Sequence, residues 1–461
     1  MKQGKIKNII LIAMVLVCIY LSSNVWLKLP DFLKYNADAD DKKPVEIVAD
    51  IWNVVRPIKN VINYNENYTI TYEDEQDIWG KTVHVIHDAF DNLNNLSVNE
   101  SAAFPSQYLK LDFSSNIPVE IFTEHMKIDN NNIKTKIKSV KNVIIDLENT
   151  NTIHIYNGEN TVKIEGSSID TQEIVNLVKQ HDFAGDIQYA FNQKVRDKII
   201  QVPIPQEMTA LNPVFVQSEL DVFDIEQINK IAKDYFKSNY DYVRKSVEVS
   251  GNLVYMYRTE KILKINSEGL LDFYDTSAEL RNSSDVYESL LSAVNFTEEF
   301  LGFPEDGYLS NIESIEYEGN FGYRYTFSYK IKERPILFSK VRENLALQID
   351  VFGDSVISYK RFIREIDESQ IGKMNEIQIL PAIEVLERNL SDDSDLPGPG
   401  EIPELKPLKQ NMLEEISNIY LGYFDLSRIT REQVLRVVWV IEAKDKSYIF
   451  NAISGALIEE W

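Results

Sequence analysis

An almost unbroken apolar run from Ile9 to Leu27 opens the chain, and the pattern beyond it alternates in short segments. As a helix rising about 1.5 Å per residue, the run is long enough to cross a hydrocarbon core of ~30 Å. Lys2, Lys5 and Lys7 precede it, which keeps the N-terminus in the cytoplasm and sends the rest of the chain across. A cleavable signal needs small residues at the cut, whereas this run gives way to "VWLKLPDF". It therefore reads as an uncleaved single-pass anchor. The expected division is a cytoplasmic tail at 1–7, a transmembrane helix at 8–27 and an acidic, polar tether at 28–44.

Past the tether the apolar period drops to two. "NYTITYED", "YLKLDFS", "NVIIDLE" and "NTIHIYNGENTVKIEG" predict strands, with Asn157-Gly158 supplying left-handed conformers for a hairpin turn. Helical spacing predicts a helix from Asp77 to Leu93, with Ile78, Val83, Ile86 and Phe90 on one side, and another from Thr171 to His181. Further helices are expected at Asp224–Phe236, Val286–Phe300 and Leu408–Tyr423, each leading into strands joined by a Gly-containing turn. The Pro-rich stretch at 202–213 and the acidic Pro/Gly stretch at 391–407 read as linkers. The fold class expected is α+β, with antiparallel sheets and packed helices beyond the transmembrane helix. The units are an N-terminal α+β domain at 45–201, a middle α+β domain at 214–390 and a small α/β module at 408–461.

Charge narrows the partners. All 72 acidic residues lie beyond the apolar run, and the chain carries a net charge of −24. Such a field repels nucleic acid and anionic membrane surfaces. The single cysteine, Cys18, lies inside the apolar run, which excludes disulfides and Cys-ligated zinc from the remainder. No phosphate loop, dinucleotide fingerprint or nucleophile elbow is present. His84 and His87 form H-x-x-H without a third ligand, and read as an ordinary helix face. His154 reads as an outward or half-buried strand residue, and the runs "EDEQD" and "DDSD" as solvated charge. Tyrosines such as Tyr255, Tyr257, Tyr323, Tyr325 and Tyr329 suit half-buried strands. No catalytic, cofactor or metal residue is assigned. An anchored binding or regulatory ectodomain fits best, with an envelope ligand receptor or cell-wall hydrolase as the alternative.

The order of features resembles the YycH family of membrane-anchored regulators. The resemblance rests on the basic start and apolar helix ending "SSNVWLKL", on "VVRPIKNVINYNENYTITY" and "YLKLDFSSNIPVEIF", and on "YRYTFSYKIKERPILF" followed by "LALQIDVFGDSVISYKR". The last module, with "NAISGALIEE" and Gly455, is loosely similar to a PepSY-type unit. The YycH resemblance implies one transmembrane helix, an extracytoplasmic ectodomain and no enzyme activity. It also implies two partners: a sensor histidine kinase of the WalK/YycG type and a YycI-like sister protein. Within the apolar run, Ala13, Val17, Tyr20 and Asn24 fall on one helix face. Small and hydrogen-bonding residues of this kind mark helix contacts in lipid, so these four are the expected partner-binding residues.

Overall fold

The computed structural model describes residues 50–461, apart from 75, 94–96, 100–101, 130, 207–209, 279, 284, 341–344, 371–375, 392–407, 427–431 and 445. The expected transmembrane helix at 8–27, its stripe of Ala13, Val17, Tyr20 and Asn24, the tether at 28–44 and nearly all of the 391–407 linker lie outside those residues. Among the described residues no helix is long and apolar enough to cross a membrane. The architecture is α+β, with three large and mainly antiparallel sheets and helices packed against them.

The first sheet holds β1 (Lys59–Tyr64), β2 (Asn67–Thr71), β3 (Ser97–Asn99), β4 (Tyr108–Pro118), β5 (Ser139–Asp146), β6 (Thr152–Tyr156) and β7 (Thr161–Glu165), in the order β2-β1-β4-β5-β6-β7-β3. Alternation sends Leu109, Leu111 and Phe113 of β4 to one face, where they join Val143, Ile145, Ile153 and Ile155 in the core. Helices α1 (Ile78–Asp91) and α4 (Gln172–Gln180) contribute to that core, while α2 (Val119–His125) and α3 (Asn131–Lys136) follow β4. Two aspartates start α1: Asp74 accepts from the Ile78 and Trp79 amides and Asp77 from Gly80. The buried stripe of α1 is Trp79, Thr82, Val85, Ile86, Ala89 and Phe90. Ile78 and Val83, expected on that side, are only half-buried beside it.

Two expectations in this sheet are corrected. At the β6–β7 turn, Gly158 has φ +96°, but Asn157 is not left-handed. Its side chain instead accepts from the amides of Glu159 and Asn160, an Asx turn. His154 is 3% exposed rather than outward or half-buried, because β6 is covered on both faces. On the outer face, Phe104 lies against both Tyr108 and Tyr156.

The second sheet holds β9 (Arg244–Val247), β10 (Leu253–Tyr257), β11 (Lys261–Ile265), β12 (Leu271–Asp275), β13 (Tyr308–Tyr317), β14 (Asn320–Ser328), β17 (Leu347–Phe352) and β18 (Ser355–Arg361). Their order is β9-β10-β11-β12-β18-β17-β14-β13. Helix α6 (Val286–Phe300) packs on β14, β17 and β18, and α5 (Ile225–Phe236) packs on α6. Asp285 caps α6 by accepting from the Tyr287 and Glu288 amides. The helix buries Val286, Ser289, Leu290, Ala293, Val294 and Thr297, a stripe at three- and four-residue spacing. Each fully buried Val or Leu in it is worth roughly 1.5–3 kcal/mol. One continuous core joins the first and second sheets. Where α2 meets α6, His125 lies 3.2 Å from the Tyr287 hydroxyl and 3.5 Å from Asp50.

The third sheet is assembled from distant stretches: β8 (Val214–Ser218), β15 (Lys330–Ile331), β16 (Arg334–Phe338), β19 (Arg364–Ile366), β20 (Ile416–Asp425), β21 (Glu432–Ala443), β22 (Lys446–Asn451) and β23 (Leu457–Glu460). The path runs β15-β16-β20-β21-β8-β19, with β22 on β21 and β23 on β22. The β16–β20 pairing is parallel. The long strand β21 pairs β8 through its first residues and β22 through its later ones. The helix expected at Leu408–Tyr423 is not formed. Residues Gln410–Glu415 make a 3-10 turn, and Ile416 onward is strand β20. Helix α7 (Ala382–Asn389) closes this core, and the Trp439 indole donates to the Leu380 carbonyl.

An ion pair with no exposure on either side chain sits in the third sheet. Arg364 Nε lies 2.7 Å from Asp425 Oδ2, Gln433 donates to Oδ1, and Arg364 Nη1 donates to Ser218. Four strands, β8, β19, β20 and β21, thus meet at one charge pair. Ser218 also donates to the Glu268 carbonyl, which links it to the β11–β12 turn.

Candidate functional site

The outer face of the first sheet carries an unusual charge pattern. In β4, Lys110 and Asp112 alternate with core residues, so both point away from the apolar core. Register places Lys59 of β1 and Asn142 of β5 on either side of Asp112. The Nζ atoms of Lys59, Lys110 and Lys141 stand 3.7, 3.9 and 4.0 Å from the Asp112 carboxylate. Asn142 donates to the same carboxylate at 2.7 Å. Lys141 also donates to the carbonyls of Phe113 and Ser114, at the bulge where β4 leaves its pairing with β5. Burial pushes the Lys110 and Lys141 ammonium groups down from their usual range; Asp112 opposes this, and neighbouring lysines add to it.

This cluster opens on a cavity of about 280 Å³ where the three sheets meet. Lys59, Asp112 and Lys141 form its first-sheet wall, and Tyr308, Ser310 and Phe327 its second-sheet wall. The third sheet adds Leu337, Phe338, Asn418, Tyr420 and Glu442, with Lys340 and Trp461 beside them. The Glu442 carboxylate accepts from Asn418 at 3.2 Å and from the Tyr420 hydroxyl at 3.4 Å. Burial, and then the Glu442 charge, push the Tyr420 phenol up, so it stays a donor. Lys59 reaches across to Asn418 at 3.4 Å. Lys340 Nζ sits 4.7 Å over the Trp461 ring.

A second cavity, about 310 Å³, lies between β2, α4 and residues 185–187. Its polar rim includes Glu73, Asp74, Asp186, Glu333 and Arg334, and His181 holds Asp186 at 2.8 Å. Among the described residues no three His, Cys, Asp or Glu side chains are placed to hold a metal ion. His84 and His87 are both exposed on α1, with His87 3.4 Å from Asp88. The stripe of Ala13, Val17, Tyr20 and Asn24 expected to bind a partner lies outside the described residues, and the lysine-walled cavity was not singled out from the sequence. The signal available for it was the alternation in "YLKLDF", which puts Lys110 and Asp112 on a shared face.

Residues 4–183 match the YycH protein N-terminal domain. In fold the chain is similar to YycH from Bacillus subtilis, with a TM-score of 0.54 and 15% identity over 87% of this chain and 97% of that one. A looser likeness is to an uncharacterized protein from Eubacterium rectale, with a TM-score of 0.35 and 12% identity over 59% of this chain and 93% of that one. The Bacillus megaterium YpeB C-terminal domain gives a TM-score of 0.26 and 11% identity over 51% of this chain and 96% of that one. No curated protein matches the sequence.

Proposed function

We propose, on the premise that the chain belongs to the YycH family, that it is a membrane-anchored regulator without enzyme activity. In this reading it modulates a cell-wall sensor kinase of the WalK/YycG type, together with a YycI-like sister protein. The N-terminus is cytoplasmic and the bulk of the chain extracytoplasmic. The observation that carries the reading is the extent of the family match. It begins at residue 4, so it takes in the apolar run together with the first sheet.

A regulator must bind the kinase's signalling states unequally, since equal affinity shifts nothing. The stripe of Ala13, Val17, Tyr20 and Asn24 supplies one such contact. A hydrogen bond between helices in lipid is worth roughly 0.6–2 kcal/mol, enough to bias an equilibrium between two kinase states. The ectodomain supplies the larger surface, and its negative charge favours a partner face rich in lysine or arginine.

Crosslinking in native membranes, followed by identification of the captured proteins, tests this. Recovery of a histidine kinase is expected, with loss of capture and altered kinase output in the Tyr20→Leu, Asn24→Leu double variant. Capture without any histidine kinase would overturn the assignment. Unchanged capture and output in the double variant would remove the stripe from the mechanism. The ligand-receptor alternative has one observation in its favour, the lysine-walled cavity.

A further inference from the structure

We propose that the cavity where the three sheets meet binds a small organic oxyanion, a phosphate or carboxylate group carried on an apolar body. The inference does not rest on the kinase reading.

The charges of the cluster are spaced too widely for direct pairing. An ammonium in direct contact with a carboxylate stands about 2.7–2.9 Å from it. Lys59, Lys110 and Lys141 each stand 3.7–4.0 Å from Asp112, roughly an ångström too far. One carboxylate is thus shared by three cations and bonds closely to none of them. Its nearest partner is the neutral Asn142 amide.

The balance of charge points the same way. Lys59, Lys141 and Lys340 line the cavity and Lys110 stands beside Asp112, four ammonium groups against three carboxylates: Asp112, Glu442 and Glu459, which accepts from the Lys340 amide and the Trp461 indole. Glu442 is already held by Asn418 and Tyr420. The surplus is positive, in a chain whose net charge is −24. At physiological ionic strength that overall field is screened beyond about 8 Å, so the local lysines decide what the cavity attracts. The side chains of Lys59 and Lys110 are only 11% and 23% exposed. Holding like charges together away from water is unfavourable without a counter-ion.

The rest of the wall selects the body of the ligand. Phe327, Leu337, Phe338 and Trp461 give the cavity an apolar side, with Lys340 held over the Trp461 ring at its edge. Its size, about 280 Å³, falls near the lower end of the roughly 300–1,000 Å³ typical of small-molecule sites. A single ring or short chain bearing one anionic group fits that description.

The test is isothermal titration of the full-length chain in detergent with phenyl phosphate, benzoate and inorganic phosphate. Saturable binding of phenyl phosphate or benzoate is expected, and the stronger of the two names the headgroup. Both should bind more tightly than inorganic phosphate, which leaves the apolar wall unused. Lys59→Gln should weaken binding by about tenfold or more, as expected for a lost charge at close range. Lys340→Gln, at the exposed rim, should weaken it by a smaller factor. Asp112→Asn should tighten it, since it removes the competing carboxylate. That opposite sign is not expected if the lysines serve stability alone. Absence of saturable binding by both organic anions up to about 10 mM, or affinities unchanged by either lysine variant, overturns the proposal. The assay contains no kinase, so its failure and that of the kinase reading are separate results.

Discussion

Asparagine in place of Asp425 keeps the side chain's shape and removes its charge. In the wild-type chain that charge faces Arg364 at 2.7 Å, with neither side chain exposed to solvent. The variant leaves a guanidinium buried beside a neutral amide, one rotamer of which turns a donor toward Arg364 Nε. Removing one partner of a buried pair typically costs about 3–5 kcal/mol, because the remaining charge has no water to turn to. Against a total stability of about 5–15 kcal/mol, that is a large share. Urea unfolding followed by tryptophan emission measures it directly, and Trp439, 1% exposed in the third sheet, contributes to that signal. The Arg364→Leu, Asp425→Leu double variant is expected to cost less than the two single leucine variants summed. It removes both charges, although Ser218 and Gln433 then each lose a partner at about 1–3 kcal/mol. A loss below about 1 kcal/mol for Asp425→Asn would refute the reasoning, since it would mean that water or a rearranged partner reaches Arg364.

Two further outcomes concern the other sheets. Burial lowers the His154 pKa, so the folded chain holds the neutral imidazole while the unfolded chain takes up a proton as pH falls below about 6.5. Its contribution to stability is therefore complete above that pH and declines on acidification toward the lower folded value. Urea unfolding at pH 7 and pH 5 should show a smaller decline for His154→Leu than for the wild type, and an equal decline would sink the idea. Gly269 has φ +92°, and a Cβ there would meet the Leu220 carbonyl at 2.8 Å. Gly269→Ala should thus cost about 1–3 kcal/mol by the same unfolding assay, and a neutral result would show that the β11–β12 turn can shift.

Legibility in the sequence tracked how local the deciding interaction is. Helix α6 was readable because its cap, Asp285, and its stripe from Val286 to Thr297 lie within one short segment. The β6–β7, β11–β12 and β17–β18 hairpins were readable for the same reason, alternation on both sides of a turn, whereas β1–β2 and β13–β14 were not read as hairpins. The stretch from Leu408 to Tyr423 misled because Leu408, Met412, Ile416, Ile419 and Tyr423 recur at three- and four-residue spacing, which a helix accommodates. From Ile416 on, the gap between β16 and β21 decides instead. A strand there gains two ladders, and its β-branched and aromatic residues suit one. The lysine site depends on register between strands far apart in the chain. "YLKLDF" shows that Lys110 and Asp112 share a face, but not that Lys59 and Asn142 flank Asp112. Nor does a single sequence show that Asn418 and Glu442 close the far wall.

The pairing of β8 with β21 has a consequence for how the protein is made. Val214–Gln217 finds one of its two ladders in Glu432–Leu435, so one edge of a strand near the middle of the chain waits until almost all the rest has been synthesised. Such long-range pairing is slow to form, and the waiting strand edge is open to wrong partners in the interval. A chain broken off before β20 lacks Asn418, Tyr420, Glu442 and Trp461, and with them the far wall of the cavity. Prematurely ended copies would therefore expose an unpaired strand edge and lack that wall.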